Sequence, residues 1–408
     1  TGGHGGPPLQ LTSRRIMRGT DTPKVGWVSP LPPQKSGIAN YSYWLVKALA
    51  PHLDIDLYYD GREQPTGLKD QFTIYPLSSF QQQRHHYDET IYHLGNNSLF
   101  HKEIYKLAWN FPATVVLHDY NLSAFMHGAF YLKADWQLYE EALLSSNGES
   151  DHRKPGFIPR LRRHVGTFPM SHAVVNRSRK VVVHHRWLKD QFHDASHVHV
   201  IPHFAKTHRQ PSSEEIESFK KRFQINENHF LVTCLGFINT NKLPHLQVEV
   251  VKRLLGQGYP VRLLFAGETA PEVRQLQSEV EASEYRENIT FTGYLDEADY
   301  LSAVLLSDVM INLRNPSMGE ASGTLMHALA AAKPVIISDV NQYKEFPDRV
   351  CWKVTHDQNE AQLLYEYLSV LLSNRNVREA LSRNALDYAE TVLALDRVVP
   401  QWLRVIRG

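Results

Sequence analysis

The 408-residue sequence has little cysteine, little net charge and no long apolar run. Its two cysteines, Cys234 and Cys351, cannot build a disulfide framework, and Cys234 lies within the apolar stretch 230–235, where it reads as a small buried hydrophobe. This usage predicts a reducing, cytoplasmic compartment. No stretch approaches the ~18 consecutive apolar residues that span a bilayer, and the first residues show no secretory h-region. A formal charge of +1 gives no global field that would select nucleic acid or an anionic membrane. No His/Cys cluster has zinc spacing, no Walker loop is present, and no Gly-x-Gly-x-x-Gly follows a strand pattern, so neither a metal nor a bound cofactor is expected. The 22 histidines are scattered along the chain and read as compositional.

What is present is the composition of a globular protein, 42% apolar and 21% charged, with enough length for two cores rather than one. Residues 1–23 are Gly-rich, basic and without periodicity, and are read as a flexible tail outside the fold. From Lys24 onward short β-branched runs alternate with amphipathic helical patterns. Strands are expected at 25–28, 54–59, 90–94, 114–117, 180–183 and 197–201. A polar stretch at 206–217 reads as a linker, and the rhythm then restarts with strands at 230–235, 261–266, 289–292, 309–313, 334–338 and 350–354. Strands separated by helices predict parallel sheets covered on both faces. The expectation is α/β: two doubly wound, Rossmann-like domains, 24–205 and 206–385, facing a central cleft. A long helix near 377–407 is expected to bring residues 386–408 back onto the first domain. Ligands of such sheets bind at the carboxyl ends of the strands.

The stretch 312–334 carries the most chemistry. A buried strand runs out into Arg314, Asn315, Pro316, Ser317, Met318, Gly319 and Glu320, and a helix opens at Ser322, Gly323 and Thr324. The free N–H groups and partial positive charge of a helix start suit a phosphate, Gly323 permits close approach, and Arg314 can meet the same phosphates bidentately. Glu320 accepts hydrogen bonds only, so it would repel a diphosphate but can receive sugar hydroxyls. Charge thus separates Arg314 for phosphate from Glu320 for sugar. Asp54 and Asp56, although spaced like a metal-binding pair, sit on one face of an early strand and not in a loop beyond it.

The run Gly319-Glu320-Ala321-Ser322-Gly323, continued through Ala330-Ala331-Ala332-Lys333-Pro334-Val335-Ile336, resembles the donor-binding signature of family 4 retaining glycosyltransferases of the GT-B fold. Further likenesses follow in family order: the loop 32–39 with Gly37, Val116-Leu117-His118-Asp119, Val200-Ile201-Pro202-His203, the loop 236–242 with Lys242, and Phe291-Thr292-Gly293-Tyr294 on the nucleotide base side. The form is nearest to bacterial polysaccharide and mannosyltransferase-like members. Two positions depart from the family pattern. Ala328 stands where a second, ribose-binding glutamate is common, and Phe237 where an arginine usually follows the first glycine of the lysine loop.

The resemblance implies a retaining, metal-independent hexosyltransferase, mannose favoured, using a GDP- or UDP-linked donor and a saccharide or lipid-linked acceptor. Gly37, Lys242, Arg314, Ser322, Gly323 and Thr324 would stabilise the departing diphosphate, and His118 and Glu320 would orient the sugar. Asn96 and Asn97, after a strand end, read either as acceptor-side residues or as a turn. Segment 131–168, with Lys154, Arg160, Arg162 and Arg163, reads as a solvated excursion or as a patch for acceptor or peripheral contact with the inner membrane face. Two alternatives stay open: a nucleotide-sugar epimerase of the same fold, and a non-catalytic sugar-nucleotide-binding subunit.

Overall fold

The computed structural model describes residues 22–60, 63–133, 135–147, 168–206 and 209–408. Lys154, Arg160, Arg162 and Arg163 therefore lie outside the described residues, as does nearly all of the tail 1–23.

Two parallel sheets organise the chain. The first contains β1 (Lys24–Val28), β2 (Asp54–Tyr59), β3 (Thr73–Pro76), β4 (Glu89–Leu94), β5 (Thr114–Leu117), β6 (Lys180–Val183) and β7 (Val198–Val200), in the order β3-β2-β1-β4-β5-β6-β7. The second contains β8 (Phe230–Leu235), β9 (Val261–Ala266), β10 (Ile289–Phe291), β11 (Val309–Asn312), β12 (Val335–Ser338) and β13 (Cys351–Val354), in the order β10-β9-β8-β11-β12-β13. Strands β4, β5, β8, β9, β11 and β12 are buried along their whole length. That is why β5, β8, β11 and β12 read as near-continuous apolar runs and not as alternating ones. In each sheet the winding reverses beside the first strand, between β1 and β4 and between β8 and β11. The crevices at those two reversals are where α/β sheets receive ligands.

Three local features differ from the sequence expectation. Strand β3 was not anticipated: Thr-Ile-Tyr-Pro is a half-exposed edge strand with no run of buried residues to announce it. The polar stretch 206–217 is helical in its second half, because Ser212 and Glu215 form a reciprocal capping box on the helix Ser213–Arg222. The expected single helix at 377–407 is two, Arg375–Thr391 and Leu395–Arg407. Between them Ala394 is extended, and the Leu393 carbonyl accepts the Ala205 N–H at 2.8 Å.

That break lets the final helix cross to the first sheet. Val398, Trp402, Val405 and Ile406 join Val25, Trp27, Leu45 and Leu49 in one core cluster. The rings of Trp27 and Trp402 lie 5.9 Å apart, and Lys180 Nζ donates to the Val405 carbonyl at 2.6 Å. Trp402 is fully buried. Trp402→Ala should therefore cost about 3–5 kcal/mol, read from urea unfolding of the purified protein. A loss below about 1 kcal/mol would mean that the helix docks without stabilising the first domain.

Candidate active site in the interdomain cleft

On the second domain, β11 ends at Asn312 and the loop beyond it leads into the helix Gly323–Ala330. Ser322 caps that helix, its Oγ accepting from Leu325 N at 3.3 Å. Asn312 Oδ1 receives the hydroxyls of Ser322 and Thr324, each at 3.2 Å, which fixes both side chains at the helix start. Apart from its chain neighbours and its own helix, nothing lies within 4 Å of where a Cβ on Gly323 would be, so the backbone there is open.

Next to this start lies the lysine loop. A Cβ on Gly236 would stand 3.2 Å from both Lys242 Nζ and Thr324 Cγ2, which puts lysine and helix start around one spot. Lys242 is buried and donates to the Leu235 carbonyl. Burial lowers its pKa to about 7, with Arg314 acting in the same direction and Cys234 and Glu320 opposing. An anion arriving here would restore the charge that burial suppresses.

Arg314 and Glu320 do not stand apart as charge logic alone suggested. Arg314 Nε pairs with Glu320 Oε1 at 3.1 Å, and Arg314 Nη1 is tied to the Leu313 carbonyl at 2.7 Å. Glu320 Oε2 also accepts Met318 N at 2.8 Å and the Ser317 hydroxyl at 3.3 Å. Two opposite charges six positions apart on one tight loop meet because both are largely shielded from water, where their attraction is least screened. Ala328 faces the core and is 1% exposed. Phe237 is exposed.

The first domain faces this loop closely. Gly37 begins the helix Gly37–Leu49 under a Ser36 cap. Asn97 caps the helix Ser98–Asn110, and Asn96 Oδ1 accepts Phe125 N at 2.8 Å. Both asparagine side-chain carbonyls thus serve backbone N–H groups, Asn97 in the helix it caps and Asn96 in the helix Ser123–Ala129. Gly37, Asn96, Asn97 and His118 line a cavity of about 300 Å³ together with Ala321 and Gly323 from the second domain. Lys242, Arg314, Glu320, Ser322 and Thr324 are not among its lining residues: Lys242 lies on the loop after β8, and the other four on the loop and helix start after β11. Gly293 and Tyr294 do not line it either: Tyr294 is exposed, with Lys35 Nζ 4.0 Å from its ring centre.

Contacts between the domains run through the same loop. Asn121 N donates to Met318 O at 3.0 Å, Ala321 N to His118 O at 3.3 Å, and His185 Nε2 to Gly319 O at 3.2 Å. Gly319 has φ +70°, and a Cβ there would sit 2.6 Å from Tyr120 Cβ and 2.9 Å from Trp187 Cζ3. Only glycine meets both demands. Glu345 adds a clasp, its carboxylate accepting Arg186 N at 3.0 Å and Trp187 N at 2.5 Å.

The histidines, compositional in the sequence reading, converge here. His184 Nδ1 lies 3.0 Å from the Ile201 carbonyl, which can only accept, so that nitrogen carries the proton. His184 Nε2 then accepts from His118 Nδ1 at 3.2 Å, and His118 Nε2 accepts from His93 Nδ1 at 2.9 Å. One carbonyl fixes three tautomers. Both ring nitrogens of His118 are engaged, so its ring presents no N–H to the cavity. His101 and His203 also line the cavity. The signal available in the sequence was positional: His93 within β4 and His118, His184 and His203 just beyond β5, β6 and β7. Asp119, on the same cavity wall, was passed over. Its Oδ2 accepts Asn96 N at 2.7 Å, and burial raises its pKa to about 7, helped by Glu320 and opposed by the Asn96 N–H.

Asp54 and Asp56 both pair with Lys24 at 3.3 Å. Among the described residues, no group of three or more His, Cys, Asp or Glu is arranged to hold a metal ion.

Burial holds His93 and His118 well below 6.5, His184 at about 3 and His101, His185 and His203 at about 4. Unfolded, each would take up a proton near pH 6.5, so each removes about 1.4 kcal/mol of stability per pH unit below that. Asp119 acts oppositely between about 7 and 3.8, as one group against six. The urea midpoint should fall continuously from pH 6.5 to pH 4.5; a flat profile would show that these rings are not neutral and buried together.

Residues 215–387 match the family model described as glycosyl transferases group 1. No curated protein matches the chain in sequence. Among solved structures, HepE from Anabaena in complex with UDP-glucose superposes with a TM-score of 0.66 at 14% identity, over 94% of this chain and 99% of that one. Sucrose-phosphate synthase from Thermosynechococcus elongatus gives 0.64 at 16%, covering 94% and 98%. WaaG, a glycosyltransferase involved in lipopolysaccharide biosynthesis, gives 0.62 at 16%, covering 94% and 100%. The chain has the GT-B fold, two Rossmann-like domains about a cleft, and its second domain carries the group 1 glycosyltransferase match.

Proposed function

We propose that this chain is a retaining, metal-independent glycosyltransferase of family 4 type. It moves a hexosyl group, mannose favoured, from a GDP- or UDP-linked donor to a saccharide or lipid-linked acceptor in glycan assembly. One observation carries the reading. An open helix start and a buried lysine meet on the second domain, inside the region that matches the group 1 model, with Arg314 near enough to bear on the lysine's charge, and Gly323 of that helix start lines a cavity together with Gly37 and His118 of the first domain. The helix N–H groups at 322–324, Lys242 and Arg314 stabilise the departing diphosphate. Gly37 lets phosphate approach the first domain. Glu320, anchored by Arg314, orients the donor sugar, and Gly293 with Tyr294 flanks the base. His118 shapes the wall through its locked ring. The known complexes of HepE with UDP-glucose make a uridine donor the first to try. No helix among the described residues is long and apolar enough to cross a membrane; contact with a membrane face through 131–168 belongs to the proposal.

Asp119 gives the cleft a second carboxylate near Glu320, an observation that favours an epimerase as second reading. Incubation with GDP-mannose, UDP-glucose and UDP-N-acetylglucosamine separates the two. Free nucleotide marks transfer or hydrolysis, an epimerised nucleotide sugar marks the alternative, and tight binding with neither product marks a non-catalytic subunit. Glu320→Ala should lower nucleotide release about 10²–10³-fold while changing nucleotide affinity little. Equal losses in both would remove Glu320 from the sugar.

Lys242 supplies a pH signature. Its pKa is about 7 without an anion beside it, and a bound diphosphate raises that value. Binding is then strongest below pH 7 and should weaken above it by up to about tenfold per pH unit. Calorimetry with a nucleotide sugar, whose diphosphate does not titrate in this range, reads the slope. Lys242→Met should abolish it, and a wild-type affinity level from pH 6 to 9 would place the lysine away from phosphate.

A further inference from the structure

A second cavity, of about 670 Å³, lies at the β7 edge of the first sheet, bounded by β7, the helical turn Arg186–Lys189 and the final helix Leu395–Arg407. It shares no lining residue with the cleft cavity. Its charge is one-sided. Arg186 and Lys189, three positions apart on the turn, and Arg404 of the final helix line it, against the single carboxylate of Asp190. Among the described residues, none of the three cationic side chains makes an ion pair or a hydrogen bond. Two other acids of this region are engaged elsewhere. Glu345 takes the backbone N–H groups of Arg186 and Trp187, and Glu89 takes Arg179 and Lys180.

His199, on β7, also lines the cavity. Burial lowers its pKa, and the positive charges of Lys180 and Lys189, with His197, push it the same way. Its ring is therefore neutral near pH 7 and keeps one N–H to donate. The whole chain carries a formal charge of only +1, so three cations against one carboxylate in a single cavity are a local arrangement. Cations gathered without counter-charges repel one another, and an anion that bridges them removes that cost. Arginine meets phosphate oxygens bidentately, and cations supplied by two separate elements suit a ligand with more than one phosphate group. The volume is that of a small-molecule site.

We propose that this cavity binds a small soluble polyphosphate, with one phosphate group held by Arg186 and Lys189, another by Arg404, and the His199 N–H as a further donor. The site stands independently of the glycosyl-transfer reading, and its ligand is a second one, distinct from the donor of the cleft.

Inorganic tripolyphosphate is the probe. Its calorimetric binding should weaken about tenfold in Arg404→Gln and in Lys189→Gln, and by less than about threefold in Arg404→Lys, which keeps the charge. Lys242→Met, in the cleft, should leave the cavity event unchanged. The imidazole resonance of His199, assigned by its absence in His199→Asn, reports the cavity alone. Tripolyphosphate should raise its titration midpoint by about 1 pH unit in the wild type, and should leave it in place when Arg404→Gln and Lys189→Gln are combined. The site is overturned if His199 does not respond to tripolyphosphate, if both glutamine variants bind it as the wild type does, or if Lys242→Met removes all binding. Vesicles of phosphatidylglycerol that shift His199 where tripolyphosphate does not would assign these charges to a lipid surface and overturn the soluble ligand.

Discussion

A single carbonyl, that of Ile201, sets the proton positions of three buried histidines behind and along the cleft wall. It takes the Nδ1 proton of His184, which leaves His184 a lone pair for His118, which in turn leaves His118 a lone pair for His93. The order cannot be reversed without placing two N–H groups, or two lone pairs, face to face in a buried space. Four parallel strands each bring one histidine to the same sheet end, and Tyr41 packs against the rings of His93, His118, His184 and His203 at centroid distances of 4.8–6.0 Å. Of the three ordered rings His118 lines the cavity, and the ordering leaves it no N–H to offer a ligand.

The second constraint is mechanical. The loop after β11 serves two purposes at once: it carries Arg314 and Glu320, and it supplies the carbonyls and amides that bind the opposite domain at 118–121 and 185. Gly319 is the point where both meet, since its positive φ and its contact with Tyr120 and Trp187 leave no room for a side chain. The geometry of the charged pair is therefore coupled to the relation between the domains. Any opening of the cleft that breaks the bonds to Met318, Gly319 and Ala321 also frees the segment that anchors Glu320.

Much of the fold was legible because its causes are local. Strands covered on both faces carry mostly apolar side chains, so twelve of the thirteen among the described residues showed in the sequence, and the exception, β3, is a half-exposed edge. The helix start at Ser322–Thr324 was legible for the same reason: cap, glycine and apolar face are neighbours in the chain. The histidine cluster was not, since its members lie up to 110 positions apart and only the register of four strands brings them together. Nor was the pairing of Arg314 with Glu320, because a loop's path decides whether nearby charges meet. Asp119 was overlooked for a related reason. Nothing in the sequence says that its neighbour Gly95, 24 positions earlier, faces it.

The last helix has a bearing on how the molecule is made. Trp402 and its neighbours complete the core around Trp27, so the first domain in the chain is the last to be finished. During synthesis, β1 to β7 emerge early yet lack one wall of their interior until residues near 406 have left the ribosome. The second domain, whose own strands and helices are all in place before that, can close first. Assembly thus runs against the direction of synthesis, and the exposed apolar face of β1 is a surface that a nascent chain must keep from other partners in the meantime.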